Sequence, residues 1–203
     1  MDQEGRWVAQ ALRGDQRAFA HLVDTYQVPV YNLCYRMLGS APEAEDAAQE
    51  TFVRVHKHLE GYDPQQKLSS WVLAVASHYC IDRLRRRRIT WLSLENILPL
   101  QPTPTGALQP EDTMIDRESC SEVRDLLQSL PAEYRLVIAL RYWQDLSYAE
   151  IAQAVGATES AVKSRLHRAR KMLAERLMAR RRVEIGFSNK VQEGKRVTDN
   201  AVL

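Results

Sequence analysis

Cysteine is scarce in this 203-residue chain, with Cys34, Cys80 and Cys120 odd in number, widely spaced and without a CxxC pair. Neither a disulfide framework nor a zinc knuckle follows from them. The nearest metal-like patterns, His78-Tyr79-Cys80 and His56-Lys57-His58, set their ligands two residues apart and so on different sides of a helix. No metal site and no cofactor are expected. No apolar run approaches the roughly 18 residues of a membrane span. The opening MDQEGRWVAQ is acidic, unlike a secretory signal. Cytosolic residence without membrane insertion is the expectation. An ATPase motif is also missing, and the net charge is only +2. Any anionic partner must therefore be met by a local patch, not by overall charge.

Such a patch is present. Residues 147 to 171, SYAEIAQAVGATESAVKSRLHRARK, read as two short amphipathic helices around a glycine turn. Ser147 and Glu150 form the S-x-x-E pattern of a capping box, and Ile151, Ala152 and Val155 give the first helix its apolar face. Gly156 supplies the positive φ that a tight interhelical turn needs, and Thr158 caps the second helix. Ala161, Val162, Leu166, Ala169 and Leu173 then recur at helical spacing, leaving Ser160, Lys163, Ser164, His167, Arg168 and Lys171 outward. Residues 130 to 182 hold 11 Lys or Arg against 5 Asp or Glu. A single basic amphipathic helix is usually a solvated surface. Here the glycine, both caps and the charge surplus together specify a helix-turn-helix directed at DNA.

The rest of the chain is helical in pattern, with almost no strand alternation, and the expected class is all-α with two helical domains joined by an extended linker. A helix near Trp7 to Leu12 precedes a longer one over Gln16 to Leu38, which Pro29 should kink or divide. Ser40 and Glu43 suggest a second capping box, with Pro42 in the first turn of a helix running to about Leu59. Ala44, Ala48, Phe52, Val55 and Leu59 form its expected buried stripe. A helix from about Gln66 to Arg88 buries Leu68, Val72, Val75, Ala76, Tyr79 and Leu84 and ends in Arg85-Arg86-Arg87-Arg88. Residues 91 to 113 carry Pro99, Pro102, Pro104, Gly106 and Pro110, and 91 to 129 hold 2 basic and 7 acidic side chains. They read as an acidic linker. Helices are expected to resume near Glu118, and the tail from about Val183, with no apolar period, is expected to be disordered. The expected units are a first domain over 8–90, a linker over 91–116, a second domain over 117–180 and a tail over 181–203.

Three blocks carry a resemblance: AEDAAQETFVRV at 44 to 55, SSWVLAVASHYCIDRLRRRR at 69 to 88, and LPAEYRLVIALRYWQDLSYAEIAQAVGATESAVKSRLHRARKML at 130 to 173. In this order and spacing the chain resembles a bacterial RNA polymerase sigma factor of the sigma-70 family, in the extracytoplasmic-function group that keeps only the second and fourth domains. The resemblance implies a transcription initiation factor, not an enzyme, that binds core RNA polymerase through the coiled coil of its largest subunit and its flap, and binds promoter DNA. It also implies an anti-sigma factor that masks these faces until a stress signal releases them. Asp46, Gln49, Glu50 and Val53 share one mostly polar helix face, which on its own reads as solvated and by resemblance docks on polymerase. In the second block Trp71, His78, Asp82, Arg83, Arg85 and Arg86 are implied to recognise the promoter −10 element and an unpaired, flipped base. Aromatic groups beside a cationic track suit single-stranded DNA, although Trp71 and Tyr79 are equally suited to a core. The family usually has asparagine where this chain has His78, and imidazole offers donor and acceptor together in only one tautomer, which leaves the −10 preference open. In the third block Ser160, Lys163, Ser164, Arg165, His167 and Arg168 are implied to read the −35 element, with Lys163, Arg165, Arg168 and Arg170 as candidates for phosphates or base edges and a sideways course along the backbone as the alternative for Arg165 and Arg170.

Two rivals from other classes remain. One is a self-sufficient helix-turn-helix regulator that binds operator DNA without polymerase. The other is a helical enzyme built on Glu45 and Asp46, but adjacent carboxylates diverge around a helix and no convergent His, Ser or Cys accompanies them.

Overall fold

The computed structural model describes the backbone of residues 3–94 and 114–199 and the side chains of residues 3–89 and 121–180. Among the described residues the elements are α1 (Gln3–Ala11), α2 (Gln16–Leu38), α3 (Ala41–His58), a 3-10 turn (Leu59–Gly61), α4 (Leu68–Leu94), α5 (Met114–Gln128), α6 (Ala132–Tyr142), α7 (Tyr148–Ala154) and α8 (Glu159–Asp199), with no strand. The all-α class with two helical domains is what the periodicity predicts. α1 to α4 form one bundle and α5 to α8 another.

Local chemistry sets the helix ends of the first bundle. The Asp15 side chain accepts from the Arg17 and Ala18 amides and starts α2, and Gly39, at φ 79°, closes it. Pro29 does not divide α2, which is helical throughout. Proline removes one ladder hydrogen bond, and the burial of Tyr26, Val30, Leu33 and Cys34 on either side of it holds the helix together. The second capping box does not form. Ser40 is extended and its side chain makes no cap bond, because Glu43 is drawn instead to Arg83 and Arg87 on α4. The buried stripe of α3 is Ala44, Ala47, Thr51 and Val55, with Ala48 and Phe52 only half-buried. Thr51 enters this core because its hydroxyl donates to the Ala47 carbonyl at 2.7 Å. On α4 the buried apolar positions are Leu68, Val72, Leu73, Ala76 and Cys80, joined by Ser70 and Ser77, whereas Val75, Tyr79 and Leu84 are half-buried. Cys80 meets Cys34 of α2. Their hydrogen bond, followed by burial, pushes the Cys80 thiol up, so it stays protonated and unreactive.

The expected linker and tail shrink. α4 continues past Arg88 to Leu94 and α5 begins at Met114. Residues 95–113, the centre of the expected linker, lie outside the described residues. α8 runs to Asp199, so 181–199 is helical where a disordered tail was expected. Extending a helix already nucleated by a packed segment costs little, and no proline interrupts this stretch.

The bundles touch. Six successive side chains of α6, Arg135 to Leu140, are buried, because α6 packs against α8 on one side and α2 on the other. Arg135 donates to the carbonyls of Gln128 at 2.7 Å and Leu130 at 3.0 Å, to the Gln128 side-chain oxygen, and to the Met37 carbonyl at the end of α2. Gln128 donates to the Arg36 carbonyl at 3.0 Å. Side chains from the second bundle thus occupy carbonyls that the α2 terminus leaves unpaired.

Candidate nucleic-acid and partner-binding surfaces

The helix-turn-helix is assembled as its spacing predicts. Ser147 Oγ accepts from the Glu150 amide at 3.2 Å, and Glu150 Oε2 accepts from the Ser147 amide at 2.8 Å. Gly156 sits at φ 61°, and Thr158 Oγ1 accepts from the Ala161 amide at 3.2 Å. Ile151, Ala152, Val162, Leu166 and Ala169 are buried between α7 and α8. Ser160, Lys163, Ser164, His167 and Arg168 are exposed on one side of α8, and Arg165 is half-buried beside them. Lys163 is held loosely, 3.9 Å from Glu159 and 5.6 Å from the Tyr148 ring centroid. This face is cationic, polar and unobstructed, as groove binding requires.

On α4, His78 is exposed, and Trp71 is half-buried with its ring 5.3 Å from that of Tyr62. Asp82 pairs with Arg85 at 2.6 Å. Arg83 donates to the Tyr79 hydroxyl at 3.1 Å and lies 3.7 and 3.8 Å from Glu43 and Asp46. Its charge therefore ties α4 to α3 as well as facing outward. Arg54, which carries no signal in the sequence beyond its charge, stacks 4.8 Å over the Tyr79 ring. Glu43, Arg54, Tyr79, Asp82, Arg83 and Arg86 line a cleft of about 460 Å³. Four of the six residues assigned to this region by resemblance, Asp82, Arg83, Arg85 and Arg86, thus gather at the C-terminal half of α4, while Trp71 sits near its start.

Asp46, Gln49 and Val53 are exposed along α3, and Glu50 is half-buried with a 3.0 Å ion pair to Arg54. Beside them Phe19, Val23, Phe52, Val53 and His56 line an apolar groove of about 430 Å³ between α2 and α3. Phe19 and Val23 read in sequence as ordinary core positions of α2. Their helical period gives no sign that they border an open groove. Among the described residues no cluster of His, Cys, Asp or Glu is arranged to hold a metal, and no helix is long and apolar enough to cross a membrane.

Residues 22–89 match the family description Sigma-70 region 2, and residues 120–173 match Sigma-70, region 4. The chain is 35% identical over 176 residues to the ECF RNA polymerase sigma factor SigW of Bacillus subtilis, covering 84% of this chain and 94% of the relative. It is 29% identical over 182 residues to the RNA polymerase sigma-H factor of Pseudomonas aeruginosa, covering 87% and 94%. Among solved structures, CnrH in complex with the cytosolic domain of CnrY is similar, with a TM-score of 0.65, 25% identity and coverage of 88% of this chain and 99% of that one. The sigma factor RpoE of Bartonella quintana, solved with the anti-sigma factor NepR, has the same fold at a TM-score of 0.60 and 20% identity, covering 79% and 96%. With both regions matched and a relative of this identity spanned almost end to end, the chain belongs to the sigma-70 family of RNA polymerase sigma factors, in its extracytoplasmic-function group.

Proposed function

We propose that this chain binds core RNA polymerase and directs it to a dedicated class of promoters. The observation that carries the reading is the exposed cationic ribbon of α8, set on a fully capped helix-turn-helix, in the same chain as the exposed arginine run 85–88 of α4. In this reading the first domain binds polymerase through Asp46, Gln49, Glu50 and Val53, with the adjoining apolar groove as part of the same face. His78 and the Asp82 to Arg86 segment of α4 contact the −10 element, with Trp71 as a stacking platform. Ser160, Lys163, Ser164, Arg165, His167 and Arg168 contact the −35 element, the lysine and arginines on phosphates or guanine edges and the hydroxyls and imidazole closer to bases. The chain supplies binding energy, and the polymerase performs the chemistry. An anti-sigma factor is the expected regulator, since two similar structures were solved with CnrY and NepR. Its binding faces are those the polymerase uses. The reading places the protein in the cytoplasm.

The test is runoff transcription with cognate core polymerase on a fragmented genomic library, with the transcript starts sequenced. New starts that require the protein and share paired upstream elements support the reading. Failure with an active core, together with specific duplex binding by the protein alone, replaces it with a self-sufficient regulator.

A further inference from the structure

Tyr79 and Arg54 meet in the cleft between α3 and α4, and neither has a part in the proposed DNA or polymerase contacts. Arg83 Nη1 donates to the Tyr79 hydroxyl at 3.1 Å, and the Arg54 guanidinium lies 4.8 Å over the Tyr79 ring. Helical side chains point back toward the preceding turn, so a tyrosine four residues before an arginine is placed to receive it. The half-buried ring stands on α4 and is covered from α3 by Arg54, whose own Nε donates to Glu50 at 3.0 Å. Both helices therefore fix the place of the hydroxyl.

The two edges of the Arg83 guanidinium are held unequally. Nη1 is hydrogen-bonded to the tyrosine. Nη2 lies 3.7 Å from Glu43 and 3.8 Å from Asp46, which is attraction without a hydrogen bond. Glu43 Oε1 is shared with Arg87, and the Asp46 side chain is 69% exposed, so neither carboxylate holds Nη2 strongly. The side chain is thus oriented through one edge and exchangeable at the other. Its neighbours are more open: Arg83 is 28% exposed, against 70% for Arg85 and 43% for Arg87. Arg83 is the one of these three set in a defined direction from the α4 surface.

We propose that Tyr79 and Arg54 are positioning residues for Arg83: they hold its guanidinium so that Nη2 meets a backbone phosphate of the −10 element, which takes the place of Glu43 and Asp46. The inference rests on the sigma reading and on the DNA contact it gives to Arg83. Tyr79 acts through its hydroxyl, unlike a core aromatic or a stacking platform, which acts through its ring. Arg54 acts one step further back, by fixing that ring. Immobilising a rotamer-rich side chain during binding weakens affinity by about three- to tenfold, and a side chain already oriented avoids that loss.

The test is a double-mutant cycle in the full chain, assembled with cognate core polymerase on a fork-junction probe that carries the −10 element of a promoter recovered by runoff transcription. Tyr79→Phe keeps the ring and removes only the hydroxyl. It is expected to lower probe affinity about three- to tenfold, with core affinity within about twofold and an unchanged salt slope, because Arg83 still reaches the phosphate. Arg83→Ala is expected to cost more and to lower the salt slope by about one counterion. In the Arg83→Ala background, Tyr79→Phe is expected to cost no more than about 1.5-fold. Arg54→Lys keeps a charge for Glu50 and loses the planar stack, and it is expected to show the same dependence on Arg83. A tyrosine that only fills the core, or that touches DNA itself, costs as much without Arg83 as with it, and that result overturns the proposal. Full affinity for Tyr79→Phe overturns it too, as does failure of that variant to fold, which makes the hydroxyl structural. An Arg54→Lys loss that persists without Arg83 removes Arg54 from the arrangement. If the native chain forms no promoter complex with an active core, the sigma reading itself fails, an outcome seen before any variant is compared.

Discussion

Substituting methionine for Arg135 keeps most of the aliphatic length of the side chain and removes its fork of donors. The residue is 6% exposed, and burial pushes the guanidinium pKa down to about 10, a desolvation cost on the order of 3 kcal/mol. Four acceptors offset it: the carbonyls of Met37, Gln128 and Leu130 and the Gln128 side-chain oxygen. Hydrogen bonds to a charged group contribute about 1.5 to 3 kcal/mol each, so the acceptors outweigh the penalty by at least about 3 kcal/mol. The Arg135→Met chain loses both terms but strands carbonyls that water reaches poorly. The expected destabilisation is about 4 kcal/mol, at the upper end for one substitution. In urea unfolding followed by circular dichroism, that corresponds to a midpoint lower by roughly 2 M for a slope of about 2 kcal/mol per molar. Arg135→Lys should fall between the two, since one ammonium cannot reach acceptors on α2 and on the α5–α6 turn together. A midpoint within about 0.5 M of the native chain refutes the reasoning, because it means that the carbonyls find water as readily as they find arginine.

Further predictions concern the surfaces. The Lys67 ammonium, then the Ser147 hydroxyl and amide, hold the Glu150 carboxyl at about 2 against an ordinary 4.5; because the folded value is depressed, its stabilisation is complete above about 4.5 and disappears as pH falls through 2. Lys67→Ala should raise that midpoint in a carboxyl NMR titration, and an unmoved midpoint would show that the ion pair does not form in solution. Lys163→Ala and Arg168→Ala should each reduce the salt slope of promoter binding by about one counterion without changing sequence preference, measured by fluorescence anisotropy across ionic strength; an unchanged slope removes those side chains from phosphate contact. Asp46→Ala with Glu50→Ala should weaken core polymerase binding at least several-fold while circular dichroism is unchanged, and retained affinity would move the polymerase face elsewhere.

The parts of the fold legible in the sequence are those set by neighbours within one or two helical turns. The Ser147–Glu150 box, the Gly156 turn and the Thr158 cap each need only residues three or four positions apart, and each forms. The same S-x-x-E spacing at Ser40–Glu43 fails, because arginines 40 and 44 positions downstream, Arg83 and Arg87, compete for the carboxylate. A motif scan weighs the local partner alone. The α3 stripe shifts to Ala47 and Thr51 for a related reason: a hydroxyl that bonds its own helix is apolar enough for a core, and a stripe of hydrophobic letters leaves it out. Phe52, left half-buried by that shift, lines the groove beside Val53 instead.

The interdomain surface was half legible, and the missing half has a definite cause. Along Arg135 to Leu140 the sequence runs RLVIAL, with no polar stripe in a helix of only 11 residues. A helix packed on one side needs apolar residues over about a third of its surface, so burial all round implies a second packing partner. That much can be inferred from letters alone. The partner cannot, because the acceptors that Gln128, Arg135 and Gln144 reach are the main-chain carbonyls of Arg36, Met37 and Pro29, and every residue carries such a carbonyl. Gly39 marks the contact too: a Cβ there would come within 2.8 Å of the Gln128 side chain, yet its φ of 79° already explains the glycine as a helix cap. One letter thus satisfies two constraints, and the local one conceals the distant one.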